Sequence, residues 1–349
     1  MNLKAEDGRD GALRRPRAEG AKQNGSASNT NALSKSLRSL RGYAARTAQR
    51  AVPTTEIVLL ALLLAASSAR GADSLADRYA SLGTLTLTKL VSAPFPHPSR
   101  ADGHRYQDRL YPAAQHYSDS TVALFIPKGF VPGEKLDFVI HFHGWRNNVT
   151  NALREYRLVE QFSESRRNAI LIVPEGPRDS PDSFGGKLED AGGLKRFVDD
   201  VLGALPDKLE QGRGVGRIIL SGHSGGYRVI AHALERGGLS EHVREVYLFD
   251  ALYGETAKFR AWQEQTKGRL VNIYTAGGGT RKETERFMAE LKMAGRPFLA
   301  KEKSLSTDDL KGNRLVFLFT DLAHNDVVAK QDHFRDFLRT SGLDARPHP

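Results

Sequence analysis

Eight short apolar runs, separated by stretches of helical periodicity, constrain this chain more than any other feature of its sequence. The runs are Leu85–Val91, Val122–Ile126, Phe138–Phe142, Ala169–Val173, Arg217–Leu220, Val246–Phe249, Leu270–Tyr274 and Leu315–Phe319. Several are almost continuous in Val, Ile, Leu and Phe. That pattern suits strands covered on both faces, because a strand with one wet face alternates polar and apolar residues. Helices are expected near 149–163, 191–205, 226–236, 256–267, 280–293 and 328–340. In 280–293 the residues Phe287, Leu291 and Met293 fall among charges, as in a half-buried helix. Strands followed by strict strand–helix alternation predict a mainly parallel sheet with helices on both faces. The stretch 84–345 holds neither an internal repeat nor a Pro- or Ser-rich linker and reads as one catalytic-sized domain.

The first seventy residues follow other rules. Residues 1–56 are rich in Ser, Asn, Ala, Gly and Arg, and such a segment buries too little apolar surface to offset its ordering entropy. It is expected to be a disordered basic leader. Ile57–Ala66 is then an apolar run of ten residues, whereas a helix needs about 20 to span a bilayer. With Arg38, Arg41, Arg46 and Arg50 before it and Ser67-Ser68-Ala69 after it, 57–69 reads as the apolar and cleavage regions of a signal peptide. A secreted or periplasmic protein, with no stable membrane span after processing, is expected. The alternative is an uncleaved leader that serves as an anchor.

Charge and composition narrow the partners. The net charge is +10, but residues 1–69 hold 11 Lys/Arg against 5 Asp/Glu, which leaves only +4 on the rest. Without a clustered basic stripe or an aromatic platform, that surplus is a solvated surface, and nucleic acid is not the expected partner. The absence of cysteine excludes disulfides, thiol catalysis and Cys-ligated metals.

The strand Arg217–Leu220 runs into Ser221-Gly222-His223-Ser224-Gly225-Gly226 and then into a helical stretch from Tyr227. Gly222–Gly226 is G-x-S-x-G between a strand and a helix. A serine on so tight a turn takes a strained backbone, and side chains two residues to either side would collide with it. The following helix turns its N-terminus toward the reacting oxygen, so the Gly225 amide can stabilise an oxyanion. Read alone, the pentapeptide is also an ordinary glycine-rich loop.

Partners for Ser224 lie at other strand ends. His143-Gly144 closes the run Phe138–Phe142; Gly144 shapes the turn there, and the backbone amide of Trp145 is the second expected oxyanion donor. His141 and His143 lie on one face and raise the question of zinc, but Gly144-Trp145-Arg146 supplies no further ligand, so no metal is expected. His324, in the loop after Leu315–Phe319, is the expected base, since a parallel sheet places its site at the carboxyl ends of its strands. The acid is expected to be Asp250, directly after Val246–Phe249, with Asp326 as its rival and helix capping as its plain structural alternative.

With Gly222–Gly226, His143-Gly144 and the order Ser224, Asp250, His324, residues 84–345 resemble the α/β-hydrolase superfamily. The resemblance implies a three-layer α/β fold on a mostly parallel eight-stranded sheet and acyl transfer without a cofactor. Its departure is the acid, which stands one strand earlier than the common position; there Tyr274-Thr275-Ala276-Gly277 offers no carboxylate. Some lipases of the superfamily share this arrangement. About 20 residues follow Asp250 before the next strand, so no large cap domain is expected. The loop Pro174–Ala191 is expected to form part of the rim of an open cleft. The leading expectation is a carboxylic-ester hydrolase acting on an ester or acyl substrate, including esters on polymers, glycans or lipid surfaces. An amidase or peptidase on the same residues, and a catalytically silent binding protein of this fold, are the alternatives.

Overall fold

A computed structural model of the protein describes residues 74–210 and 214–347. The expectations for 1–56 and 57–69 lie outside them. The chain from Leu75 builds eleven strands: β1 (Gly83–Lys89), β2 (His104–Tyr106), β3 (Arg109–Tyr111), β4 (Thr121–Pro127), β5 (Lys135–Phe142), β6 (Ile170–Pro174), β7 (Gly214–His223), β8 (Val243–Phe249), β9 (Arg269–Thr275), β10 (Leu299–Glu302) and β11 (Leu315–Thr320). Nine of them form one sheet in the order β1-β4-β6-β5-β7-β8-β9-β11-β10. β1 and β4 pair antiparallel, and β4 meets β6 antiparallel; every pairing from β6 to β10 is parallel.

Each of the eight apolar runs falls on a strand of this sheet. The expected count of eight is one short, because β10 is an edge strand of sequence Leu-Ala-Lys-Glu that is mostly exposed. A strand without a buried face carries no apolar signal. The short hairpin β2–β3 lies outside the main sheet.

Alternation along the central strands sorts side chains into two cores. Phe138 and Ile140 of β5, with Ile218 and Leu220 of β7, face the helices Gly193–Gly203, Tyr227–Arg236, Thr256–Thr266 and Arg281–Met293. Val139, Ile219, Tyr247 and Val271 face the opposite layer, where Phe162, Phe334 and Phe337 come from the helices Leu158–Ser165 and His333–Arg339. Full burial of such side chains contributes about 1.5–3 kcal/mol each, which is why strands apolar on both faces dictate a three-layer stack.

Two expected helices are interrupted. The first is split into Val149–Glu155 and Leu158–Ser165 by Arg157 at φ +51°; the last is split by Gln331 and Asp332 at +62° and +50°. None of these is glycine, so composition announces neither break. No helix among the described residues is long and apolar enough to cross a membrane.

From β5 the chain first moves outward to β6, then returns to the other side of β5 as β7. At such a reversal the loops beyond the carboxyl ends of two neighbouring parallel strands diverge and leave a crevice. The turns after β5 and β7 border it.

Candidate active site

Ser224 begins a single tight turn, Ser224–Gly226, that joins β7 directly to the helix Tyr227–Arg236. Its φ is +53°, a left-handed conformation that costs a non-glycine residue on the order of 1–2 kcal/mol. Glycines make room for it. A Cβ at Gly226 would lie 2.6 Å from the Phe142 carbonyl oxygen, which backbone cannot readily relieve. A Cβ at Gly144 would lie 2.5 Å from the Ser224 Cβ and 3.2 Å from its Oγ. The turn after β5 therefore presses directly on the serine. The helix that follows adds the positive end of its dipole on the same side.

Asp250 follows β8, the neighbour of β7, at φ +46°. Its side chain is fully buried, and it accepts a 2.7 Å hydrogen bond from His324 Nδ1. The Thr275 amide (3.2 Å), the Thr275 hydroxyl (2.7 Å) and the Thr280 hydroxyl also donate to this carboxylate. Burial alone would raise its pKa. The donors from His324, Thr280 and Thr275 outweigh that effect, so the carboxyl lies below its ordinary value and remains ionised. A Cβ on Gly278 would stand 1.6 Å from Asp250 Oδ2, so the loop can close over the carboxylate only with glycine at this position. Asp326, the rival acid, instead pairs with Lys330 at 2.7 Å on a helical turn of its own. His324 is 30% exposed and thus open to the crevice.

On the other side of Ser224, the Trp145 indole N–H donates to Ser183 Oγ at 2.7 Å. A Cβ on Gly225 would meet that hydroxyl and the indole Cδ1, each at 2.7 Å. Trp145 and Gly225, both expected to border an oxyanion, are thus neighbours. His143 braces the turn from beneath: Nδ1 donates to the Gly144 carbonyl (2.9 Å), and Nε2 lies 2.9 Å from Glu175 Oε1. The Gly176 amide also approaches Nε2 at 2.9 Å, a contact that suits only an unprotonated nitrogen. Burial would lower the His143 pKa, but the hydrogen bond to Glu175 and the charge of that carboxylate outweigh it, so the pKa lies above its ordinary value.

The remaining histidines of the strand ends are committed elsewhere. His141 is buried with Nδ1 2.9 Å from Ser221 Oγ, and burial pushes its pKa down to about 3. Among the described residues, no group of three or more His, Cys, Asp or Glu side chains is disposed to hold a metal ion.

A recess of about 210 Å³ opens beside Ser224, lined by Trp145, Ser183, Ser224, Gly225, Tyr227 and Tyr253. Tyr227 and Tyr253 pack with ring centroids 5.9 Å apart, and Tyr106 from β2 meets Trp145 edge-on at 5.2 Å. Burial, then the Asp250 charge, pushes the Tyr253 phenol up to about 12; it stays protonated and donates to the Gly278 carbonyl. Neither tyrosine carries a motif signal, although Tyr227 follows the Ser224 turn and Tyr253 lies three residues past Asp250. Ser183 and Phe184 come from the Pro174–Ala191 loop, which borders the site with the segment around Phe95 and Tyr117. A larger hollow of about 780 Å³, containing Lys135, Asp137 and Arg217, lies at the opposite, amino-terminal ends of the strands.

The sheet order, the reversal at β5 and the strand–turn–helix at Ser224 are together those of the α/β-hydrolase fold. No family model and no curated protein matches the sequence. Among solved structures, the chain is similar to the feruloyl esterase module from Clostridium thermocellum complexed with sinapinate, at 11% identity over 76% of this chain and 99% of that one, with a TM-score of 0.44. It is similar to FphF, a fluorophosphonate-binding serine hydrolase of Staphylococcus aureus, at 11% identity over 74% and 97%, TM-score 0.43. A Pyrobaculum calidifontis esterase aligns at 19% identity over 63% and 78%, TM-score 0.39.

Proposed function

We propose that the protein is an exported serine hydrolase of carboxylic esters, with Ser224 as nucleophile, His324 as base and Asp250 as acid. The observation that carries this is the buried Asp250 carboxylate, ionised and 2.7 Å from His324 Nδ1, at the carboxyl end of the strand beside the one that carries a strained serine on a strand-to-helix turn. The acceptor at Nδ1 keeps the proton there and leaves Nε2 free to take another.

In the first half-reaction Ser224 Oγ bonds to the carbonyl carbon as its proton passes to His324 Nε2. The amides of Trp145 and Gly225 donate to the resulting oxyanion, and Gly144 keeps that approach clear. His324 then gives its proton to the leaving alkoxide as the carbon–oxygen bond breaks, releasing an alcohol and leaving an acyl-serine. Water adds to the acyl carbon, passing a proton to His324; the acyl–Oγ bond breaks, the proton returns to Ser224, and a carboxylic acid departs. No metal or cofactor enters. The recess of about 210 Å³ fits a short acyl chain or a single ring. Export rests on the apolar run Ile57–Ala66 and its basic and small-residue flanks.

Fluorophosphonate labelling of the chain, followed by a panel of p-nitrophenyl esters of rising length, tests the reading. Wild type should label and turn over with a preference for short acyl groups. Ser224→Ala should abolish both, with kcat lower by roughly 10⁶. Labelling of the alanine variant, or turnover near wild type, would end the proposal.

A further inference from the structure

His324 occupies a loop, residues 321–325, that is mostly exposed. Asp250 fixes one ring nitrogen of His324, but the backbone that carries the ring needs an anchor of its own. The buried imidazole of His223, the residue before the nucleophile, lies 2.9 Å from the His324 carbonyl oxygen through Nε2. A carbonyl only accepts, so Nε2 carries the proton. Nδ1 then accepts from the Tyr156 hydroxyl at 3.0 Å, and Tyr156 Oη accepts from Asn147 Nδ2 at 3.0 Å. Asn147 is itself fixed: its Oδ1 takes the Asn148 amide at 2.8 Å, and its carbonyl takes the Asp179 amide at 2.9 Å. Each of the three side chains donates to an acceptor, and one proton arrangement satisfies all three links. Burial, then the neighbouring His324, pushes the His223 pKa down to about 3, so it holds the single proton that this arrangement needs.

We propose that His223 is a positioning residue for His324, and that Tyr156 and Asn147 join it into one buried chain tying the base to the turn that carries Trp145. The inference rests on reading His324 as the base. The His223 and His324 rings also pack together, with centroids 4.6 Å apart at 39°, so His223 supports the base at its ring as well as at its backbone carbonyl. Its register is set by sheet pairing, since His223 lies opposite Phe249, the residue before Asp250. Serine, acid and base are thereby referred to the same two strand ends.

The test compares full-length wild type, His223→Phe, His223→Gln and Tyr156→Phe for kcat and KM on p-nitrophenyl acetate, fluorophosphonate labelling rate, and thermal midpoint. Misplacing a catalytic group by about 1 Å costs on the order of 10²-fold, so His223→Phe should lower kcat and labelling together by about thirty- to a hundred-fold. KM should stay within about threefold, because the recess is untouched. Gln, whose side-chain amide can donate to the same carbonyl, should recover kcat to within about fivefold of wild type. Tyr156→Phe, which leaves Nδ1 without a donor, should lower kcat by about three- to tenfold. A folded His223→Phe with kcat near wild type, or equal losses in the Phe and Gln variants, overturns the proposal. If the Phe variant does not fold, wild-type kcat in Tyr156→Phe overturns it. A wild-type chain that neither labels nor hydrolyses any ester removes the base itself, and that result strikes the hydrolase reading rather than the anchor.

Discussion

Replacing Asp250 by Asn separates a catalytic carboxylate from a structural one, and the surroundings say which way the new amide will turn. Oδ2 receives His324 Nδ1 and the Thr275 hydroxyl; Oδ1 receives the Thr275 backbone amide and the Thr280 hydroxyl. The two hydroxyls can rotate to accept, but the backbone N–H cannot. The asparagine oxygen must therefore face Thr275 N, and its NH₂ must face His324. There it can only donate, so His324 Nδ1 gives up its proton and the ring adopts the tautomer with Nε2 protonated, unable to act as base. Where a triad acid was replaced in this way in a well-studied serine protease, kcat fell about 10⁴-fold. That corresponds to roughly 5.4 kcal/mol at about 1.36 kcal/mol per decade. A loss of about 10²–10⁴ is therefore expected here. KM should change little. The control is Asp326→Asn. Asp326 forms a half-exposed pair with Lys330, worth about 0–1 kcal/mol, and should keep kcat within about twofold. Steady-state kinetics on p-nitrophenyl acetate for both variants decides the matter. An Asp250→Asn enzyme within tenfold of wild type, or an Asp326→Asn loss as large, refutes the tautomer argument.

Gly278→Ala should damage the same carboxylate without altering any reacting group. Its Cβ would stand 1.6 Å from Asp250 Oδ2, so kcat should fall at least about tenfold with KM unchanged; unaltered kcat in a soluble variant counts against the acid. The His143–Glu175 pair makes stability depend on pH with a definite sign. A histidine whose pKa is raised by folding stabilises fully below its unfolded value near 6.5, and that contribution is lost as pH rises through the higher folded value. The thermal midpoint of wild type should therefore fall as pH rises from 6 through the folded pKa, by more than that of Glu175→Gln; equal slopes in differential scanning calorimetry would count against the pair.

How much of this was legible in the sequence follows from what each feature depends on. The sheet was legible because β5, β6, β8 and β9 are buried on both faces, and burial leaves its mark on composition wherever the strand lies. β10 left none, being an edge strand that presents Lys301 and Glu302 to solvent. The helix breaks at Arg157 and at Gln331-Asp332 were silent because left-handed backbone was adopted without glycine. The turn at Ser224 was legible for the opposite reason: its close approaches admit hydrogen alone at Gly226 and Gly144, and a steric demand that absolute must appear as a residue type. Asp250 stood in between. Its place at a strand end made it a candidate, but the hydroxyls and amide that keep it ionised come from Thr275 and Thr280, a full strand–helix–strand unit away. The chain through Asn147, Tyr156 and His223 lies furthest from view, because its links join residues 67 and 101 positions apart. Local sterics can be read from neighbours in the chain. Hydrogen bonds between distant strand ends exist only once the sheet has set its register, so the residues that place His324 had to be found in three dimensions.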